Sequence, residues 1–374
     1  MKLTVISDSF KGTLSSKQIC DIAREEAQAV LPGCIVDAIP VADGGEGTVE
    51  AVLCAAKAER IELTVSGPFR EPCPVSYARM GDTAVIEMAQ CAGLPGVGER
   101  KDPKRTTTYG VGEMLLHAAE RGCTKLWLGL GGSATNDGGC GCAAALGVKF
   151  FDREGREFVP TGGTLQNIER IDPSNAAGKL KNVSICAMCD VENPLYGPTG
   201  AAYIFAPQKG ADEKTVRELD EGLKNLSRVI KRDCGRDVAH VPGAGAAGGM
   251  GAGILAFMGG ELVSGIEALL TLTDFDRRCA DSDLVITGEG RLDEQSLHGK
   301  VISGVARHTR ALGKPLIALV GCIGDGGEGA YEIGVDAVFP TCGACLPFEE
   351  LALRAESDYR RTLRDVLTVY GIKR

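Results

Sequence analysis

The sequence predicts an α/β protein of two domains, one of them discontinuous. Three observations carry this. The chain has 374 residues, enough for two domains of ordinary size. Short apolar runs alternate with amphipathic helical patterns, as parallel strands covered by helices require. The two ends of the chain share this grammar, whereas residues 66 to 282 read differently.

The elements follow in order. Leu3 to Ile6 is an apolar strand. Ser15 and Ser16 offer N-caps to a helix that sets Ile19, Ile22, Ala23, Ala27 and Val30 on one face. Ile35 to Val41 is the second strand, and a helix follows over Glu46 to Lys57. The middle region holds extended segments at 74–80 and 84–88, a helix at 110–121, strands at 124–130 and 183–189, and a long polar helix over 212–232. The first grammar then returns, with a strand at Leu284 to Thr287, a helix at Val301 to Leu312, strands at Pro315 to Val320 and Val335 to Phe339, and a closing helix at Glu349 to Val369. The expected domains are therefore 1–65 with 283–374, and an insertion at 66–282. Such insertions are tolerated because domain termini often lie close together.

Composition narrows the function. Apolar residues are 44% and charged residues 24%, values of a globular protein. The 51 glycines exceed the average usage of about 7% and are clustered, which marks tight loops and close backbone approaches. The formal net charge is -9 with no basic run, so nucleic acid is not an expected partner. Met1 to Ile6 meets Asp8 too soon for a signal peptide, and the uncharged stretch Val241 to Gly260 is too rich in glycine for a membrane span. A cytoplasmic location and no membrane partner are expected, and a homo-oligomer is compatible with the sequence. The 15 cysteines then read as reduced thiols. Two C-x-x-C pairs, Cys186/Cys189 and Cys342/Cys345, lack zinc-site spacing, and the first lies on a strand where an odd separation turns side chains to opposite faces.

Chemistry-bearing motifs occupy one kind of position. Asp8-Ser9-Phe10-Lys11-Gly12 follows the first strand, Asp43-Gly44-Gly45-Glu46-Gly47 the second, and Gly288-Glu289-Gly290-Arg291-Leu292-Asp293 the strand at 284–287. Carboxyl ends of parallel strands share one rim, where ligands bind. Asp8, Ser9, Asp43 and Glu46 are the candidate substrate contacts. Glu289 is a candidate nucleotide contact, and Lys11 and Arg291 are cations for anionic ligand groups. Asp325-Gly326-Gly327-Glu328-Gly329 reads as a plain turn.

In the middle region, Gly129 to Gly139 (GLGGSATNDGG) follows a strand and precedes a small-residue helix, which can aim bare N–H groups at a phosphate. Gly131, Gly132, Ser133, Thr135 and Asn136 are the candidate nucleotide contacts, and Asp137 the candidate metal ligand. Gly243-x-Gly245-x-x-Gly248 is a formal G-x-G-x-x-G without a preceding strand, so Gly245 and Gly248, the candidate nucleotide contacts there, read as part of a phosphate-facing loop or a tight helix-packing segment. No G-x-x-x-x-G-K-[ST] and no G-x-S-x-G occurs, and none of the four histidines has metal-ligand spacing. Acidic groups, Gly-rich loops and few histidines fit phosphoryl transfer with Mg²⁺. Asp190, emerging directly from a strand, is the first candidate base and Asp293 the second.

Taken in order, DSFKGTLSS, PVADGGEGT, TTTYGVGEML, GLGGSATNDGG, CDVENPLYGPTGA, FAPQKGA, PGAGAAGGMGAG, GEGRLDEQSLHGK and GVDAVF make the chain resemble type 1 glycerate kinases over its whole length. One departure is Ile302, where Pro is expected in G-K-x-P, a helix-start position. The resemblance implies a flavodoxin-like (Rossmann-like) domain with a second α/β domain, an active site in the cleft between them, and phosphorylation of D-glycerate by ATP to 2-phosphoglycerate, in glyoxylate or aldarate breakdown. Two other functions use the same loops: an NAD(P)-dependent oxidoreductase of a small hydroxy acid, and a nucleotide-sensing protein without turnover.

Overall fold

A computed structural model describes residues 1–41, 45, 47–175, 180–297, 299–344 and 346–372. In chain order the strands are β1 (Lys2–Ser7), β2 (Ile35–Pro40), β3 (Glu59–Ser66), β4 (Pro72–Met80), β5 (Thr83–Glu87), β6 (Lys125–Gly129), β7 (Lys149–Phe151), β8 (Glu157–Phe158), β9 (Arg170–Asp172), β10 (Ser184–Met188), β11 (Glu261–Val263), β12 (Leu284–Leu292), β13 (Leu316–Ile323) and β14 (Ala337–Pro340). Two compact units result. One holds Met1–Asp43, Glu50–Lys57 and Gly265–Arg374, and the other holds Gly44–Val49 and Ala58–Ser264.

The first unit is one parallel sheet in the order β2-β1-β12-β13-β14. Numbered within the unit this is 2-1-3-4-5, the flavodoxin-like order. Each face carries its own apolar cluster. Leu3, Val5, Leu284 and Ile286 pack with Ile19, Ala23 and Leu363, and Ile6, Val285 and Val320 pack with Ile302, Val305 and Leu269. Both faces are covered, so the strands read as continuous apolar runs. The helix Ser16–Val30 starts in a capping box between Ser15 and Gln18. Ile302, the departure from the family pattern, is fully buried in the first turn of the helix Val301–Ala311.

The second unit has a six-stranded sheet, β3-β4-β5-β6-β10-β11. Its β3–β4 and β4–β5 pairs are antiparallel, and the rest of it is parallel. A small sheet, β8-β7-β9, stands apart. The amphipathic helix Glu213–Cys234, N-capped by Asp212, buries Leu219, Leu223 and Leu226.

Two expectations are corrected here. The unit boundaries fall at 43/44, 49/50, 57/58 and 264/265 rather than 65/66 and 282/283. Residues 59–66 belong to the inserted sheet because β3 pairs along its whole length with β4, and the helices Gly265–Leu272 and Phe275–Cys279 pack in the apolar cluster of the first unit. The second correction concerns Gly288 to Leu292, which is not a loop but the end of β12, pairing with β13 as far as Leu292↔Ile323. Its glycines serve close packing: a side chain at Gly288 would overlap the Leu319 carbonyl oxygen.

Candidate functional site

In the second unit the site is built on the loop between β6 and the helix Cys140–Ala145. Its outer edge pairs with residues 92–94: Leu94 N–H donates to the Gly132 carbonyl (2.9 Å) and Ala134 N–H to the Ala92 carbonyl (2.8 Å). Gly132 is left-handed, φ 74°. The backbone N–H groups of Gly131, Gly132, Ser133, Thr135 and Asn136 find no acceptor among the described residues. Consecutive unpaired amides around a left-handed residue form an anion-binding concavity.

Beneath the loop lies a polar floor. Asn136 is 0% exposed, and among the described residues neither its amide nitrogen nor its oxygen has a partner; the Thr135 hydroxyl is buried and likewise unpaired among them. Buried polar groups are rarely left so. Lys209, from the turn Pro207–Lys209, is 1% exposed. Its Nζ donates to Ser133 Oγ (2.9 Å) and to the Thr135 carbonyl (2.7 Å). Burial pushes this ammonium down to about 7, with Asp137 acting against the fall.

Asp137 is wholly buried, and its carboxylate is taken up by the chain itself. Oδ2 accepts from Thr108 N–H (2.8 Å), the Thr108 hydroxyl (2.9 Å), Gly141 N–H (3.2 Å) and the Thr107 hydroxyl (3.4 Å), and Oδ1 accepts from Gly139 N–H (3.2 Å). Burial pushes the carboxyl above its ordinary range while these donors pull the other way. These donors tie Asp137, the metal ligand expected from sequence, into the loop.

A further segment packs on this loop, and it in turn holds a second. Ala247, Gly248 and Gly249 are left-handed inside the segment Ala246–Gly253, and Gly138 N–H donates to the Gly248 carbonyl (3.0 Å). A Cβ on Gly248 would lie 2.6 Å from Asn136 Cα. Gly245 N–H donates to the Asn193 carbonyl (2.9 Å), which holds the Asp190–Pro194 segment on the other side. Asp190 itself is exposed, just past β10. Residues 131–137, 190, 245 and 248, far apart in sequence, thus belong to one neighbourhood. The segment at 243–248 follows a helix, Glu213–Cys234, and not a strand, so it lacks the context of a dinucleotide fingerprint.

In the first unit, β1 and β12 are neighbours at the point where strand order reverses, the usual ligand position in such sheets. Asp8 N–H donates to the Gly288 carbonyl (2.9 Å), and Asp8 Oδ1 accepts from Ser9 N–H (2.6 Å). A side chain on Gly290 would touch Phe10 Cα (3.2 Å) and Lys11 N (3.4 Å), so the 8–12 loop runs alongside the end of β12. Glu289 is 6% exposed and its Oε1 has no partner among the described residues. Burial pushes its carboxyl up to about 7; Asp8 and Asp293 add to the rise, and Ser296 and Lys300 act against it. Arg291 is exposed, with Nε 3.5 Å from Asp293 Oδ2. Asp293 Oδ1 also accepts from Gln295 N–H (3.1 Å). Lys11 is exposed. The candidates Asp43 and Glu46 lie outside the described residues.

The sequence pattern of the glycerate kinase family matches residues 3–371. This chain belongs to that family. Glycerate kinases resemble it over their full length: the glycerate kinase of Bacillus cereus is 42% identical, covering 100% of this chain and 98% of its own. The glycerate 2-kinase of Escherichia coli K12 is also 42% identical, with the same coverage. A solved structure assigned as glycerate kinase 2 from Salmonella typhimurium LT2 superposes with a TM-score of 0.87 at 37% identity, covering 100% of this chain and 99% of that one. The fold expected for a glycerate kinase, a flavodoxin-like sheet with an inserted α/β unit, is the fold observed.

Sequence reasoning missed Lys209 and Thr108, although both sit in the quoted runs FAPQKGA and TTTYGVGEML. Only Lys209's burial distinguishes it from a surface lysine, and burial is not visible in a seven-residue motif. Of the two C-x-x-C pairs, Cys186 Sγ donates to Glu261 Oε1 (3.2 Å) and Cys189 Sγ to the Val191 carbonyl (3.3 Å), and Cys345 lies outside the described residues. Among the described residues no helix is long and apolar enough to cross a membrane.

Proposed function

We propose that this glycerate kinase transfers the γ-phosphoryl group of ATP to the 2-hydroxyl of D-glycerate, giving 2-phosphoglycerate and ADP in the cytoplasm. The observation that carries the reading is the concavity at 131–136, where the amide N–H groups of Gly131, Gly132, Ser133, Thr135 and Asn136 have no acceptor among the described residues. Such a surface favours phosphate oxygens and carries no chemistry of its own, which suits a reaction whose catalysis is positioning and charge neutralisation.

In the reaction the substrate hydroxyl oxygen forms a bond to the γ-phosphorus as the bond to the β,γ-bridging oxygen breaks, and the hydroxyl proton must go to a base. Glu289 fits that part better than Asp190 or Asp293. Its Oε1 is bare and its carboxyl titrates near 7, where a base is neither too weak nor already protonated. Asp293 is engaged by Arg291 and its own turn. Lys11 and Arg291 supply exposed cations for anionic ligand groups. Magnesium would arrive with the nucleotide: the described residues include no group of three or more His, Cys, Asp or Glu side chains placed to hold a metal, and Asp137 is committed to the loop. Mg²⁺ commonly takes its ligands from phosphate and water.

Measuring ADP release with ATP, Mg²⁺ and D-glycerate tests the reading. Turnover of another hydroxy acid or a sugar without turnover of glycerate would overturn the substrate assignment.

A further inference from the structure

We propose that Lys209 is the buried cation of an oxyanion pocket floored by Ser133, Thr135 and Asn136, and that this pocket takes a phosphate of the nucleotide. The inference deepens the kinase reading and rests on it for the nature of the ligand.

Four observations converge. Lys209 is 1% exposed, yet both acceptors of its Nζ, Ser133 Oγ and the Thr135 carbonyl, are neutral. A lone ammonium out of water is costly unless an anion offsets it. Asp137, the charge acting on Lys209, is itself surrounded by five donors from the chain, so its charge is already shared. Next, the Thr135 hydroxyl and both polar atoms of the Asn136 amide are buried without partners, in the two residues that follow Ser133 and Ala134. The N–H groups of Gly131, Gly132, Ser133, Thr135 and Asn136 lack acceptors among the described residues too. Finally, the floor is rigidly backed: Gly248 meets Thr135 and Asn136 backbone to backbone, with no room for a side chain. A cation, a hydroxyl, an amide and a run of N–H groups, all short of acceptors, define a site for an anion with several oxygens.

The ammonium's low proton affinity adds a signature. It is held down to about 7 by burial, so at pH 8 much of the ligand-free protein carries Lys209 neutral. An oxyanion seated beside it raises its proton affinity. Binding therefore takes up protons from solution at pH 8, and takes up less as the pH falls below 7.

Both a nucleotide phosphate and the carboxylate of glycerate are oxyanions, so the test uses each alone. Thermal shifts and isothermal titration with ADP, pyrophosphate and D-glycerate are measured on the wild type and on Lys209→Met, at pH 8 in two buffers of different ionisation enthalpy. ADP and pyrophosphate should each stabilise the wild type with net proton uptake. Lys209→Met should weaken both at least tenfold, abolish the uptake and leave D-glycerate binding within a few-fold. If the uptake and the loss appear with D-glycerate instead, the pocket belongs to the substrate carboxylate and the phosphate assignment fails. Should Lys209→Met not fold, the wild-type titration still decides, since ADP binding with no proton uptake at pH 8 contradicts the proposal. Normal glycerate phosphorylation by Lys209→Met with unchanged ADP affinity sinks this inference and leaves the kinase reading intact. Wild-type protein without ATP-dependent turnover sinks the reading itself.

Discussion

Thr108 donates twice to the same oxygen of Asp137, from its backbone N–H at 2.8 Å and from its hydroxyl at 2.9 Å. The Thr108 hydroxyl in turn accepts from Cys142 N–H (2.9 Å), so one threonine ties the Gly-rich loop to the start of two helices, Tyr109–Glu120 and Cys140–Ala145. Asp137→Ala would strand at least the buried N–H groups of Thr108 and Gly141, each worth about 1–3 kcal/mol when unsatisfied. Urea denaturation should show a loss of about 3 kcal/mol with no ligand present. A variant of wild-type stability that has lost only its magnesium dependence would return Asp137 to the metal.

Much of the fold is legible because both faces of the first sheet are covered, so its strands appear as apolar runs. The helix 16–30 carries its capping box in its own sequence. What hid was set by long-range pairing. The end of β12 reads as a loop because Gly288, Glu289, Gly290 and Arg291 lack strand propensity, yet its pairing with β13 holds it extended. Likewise β3 joins the inserted sheet only through its hairpin with β4. Among the candidate site residues, Gly131 to Asn136, Gly245 and Gly248 stand out by their glycine pattern, whereas Lys209 stands out only by its burial.

Glu289 makes a pH-dependent prediction. Its carboxyl is raised from 4.5 to about 7 in the folded chain, so between those values the native state holds more protons than the unfolded one and stability falls as pH rises. Above 7 the buried charge is fully present. Glu289→Gln should therefore be more stable than wild type at pH 8, by about 1–3 kcal/mol, and the gain should shrink at pH 5. Denaturation midpoints at both values check this, and a gain equal at both would refute it.

The same variant tests the base. Removing a general base typically costs about 10²- to 10⁴-fold, so Glu289→Gln should lose kcat on that scale with little change in substrate Kd. Wild-type kcat should fall below pH 7 as Glu289 is protonated. If Glu289→Gln keeps kcat within a few-fold while Asp190→Asn or Asp293→Asn abolishes it, the role passes to that residue.

Lys11 and Arg291 are exposed on the first unit's strand-end rim, so replacing them should spare the fold. Lys11→Ala and Arg291→Ala should each lower kcat/KM at least tenfold, or about 1.4 kcal/mol of transition-state stabilisation. Steady-state kinetics at wild-type values in both variants would remove the two cations from the site.

The central claim is that ATP phosphorylates D-glycerate on its 2-hydroxyl. Phosphorus NMR of a reaction of purified protein with D-glycerate, ATP and Mg²⁺ tests it most directly. The ATP γ-phosphate signal should be lost as 2-phosphoglycerate and ADP grow; a 3-phosphoglycerate signal, or free phosphate with no phosphoglycerate, would contradict transfer to the 2-hydroxyl.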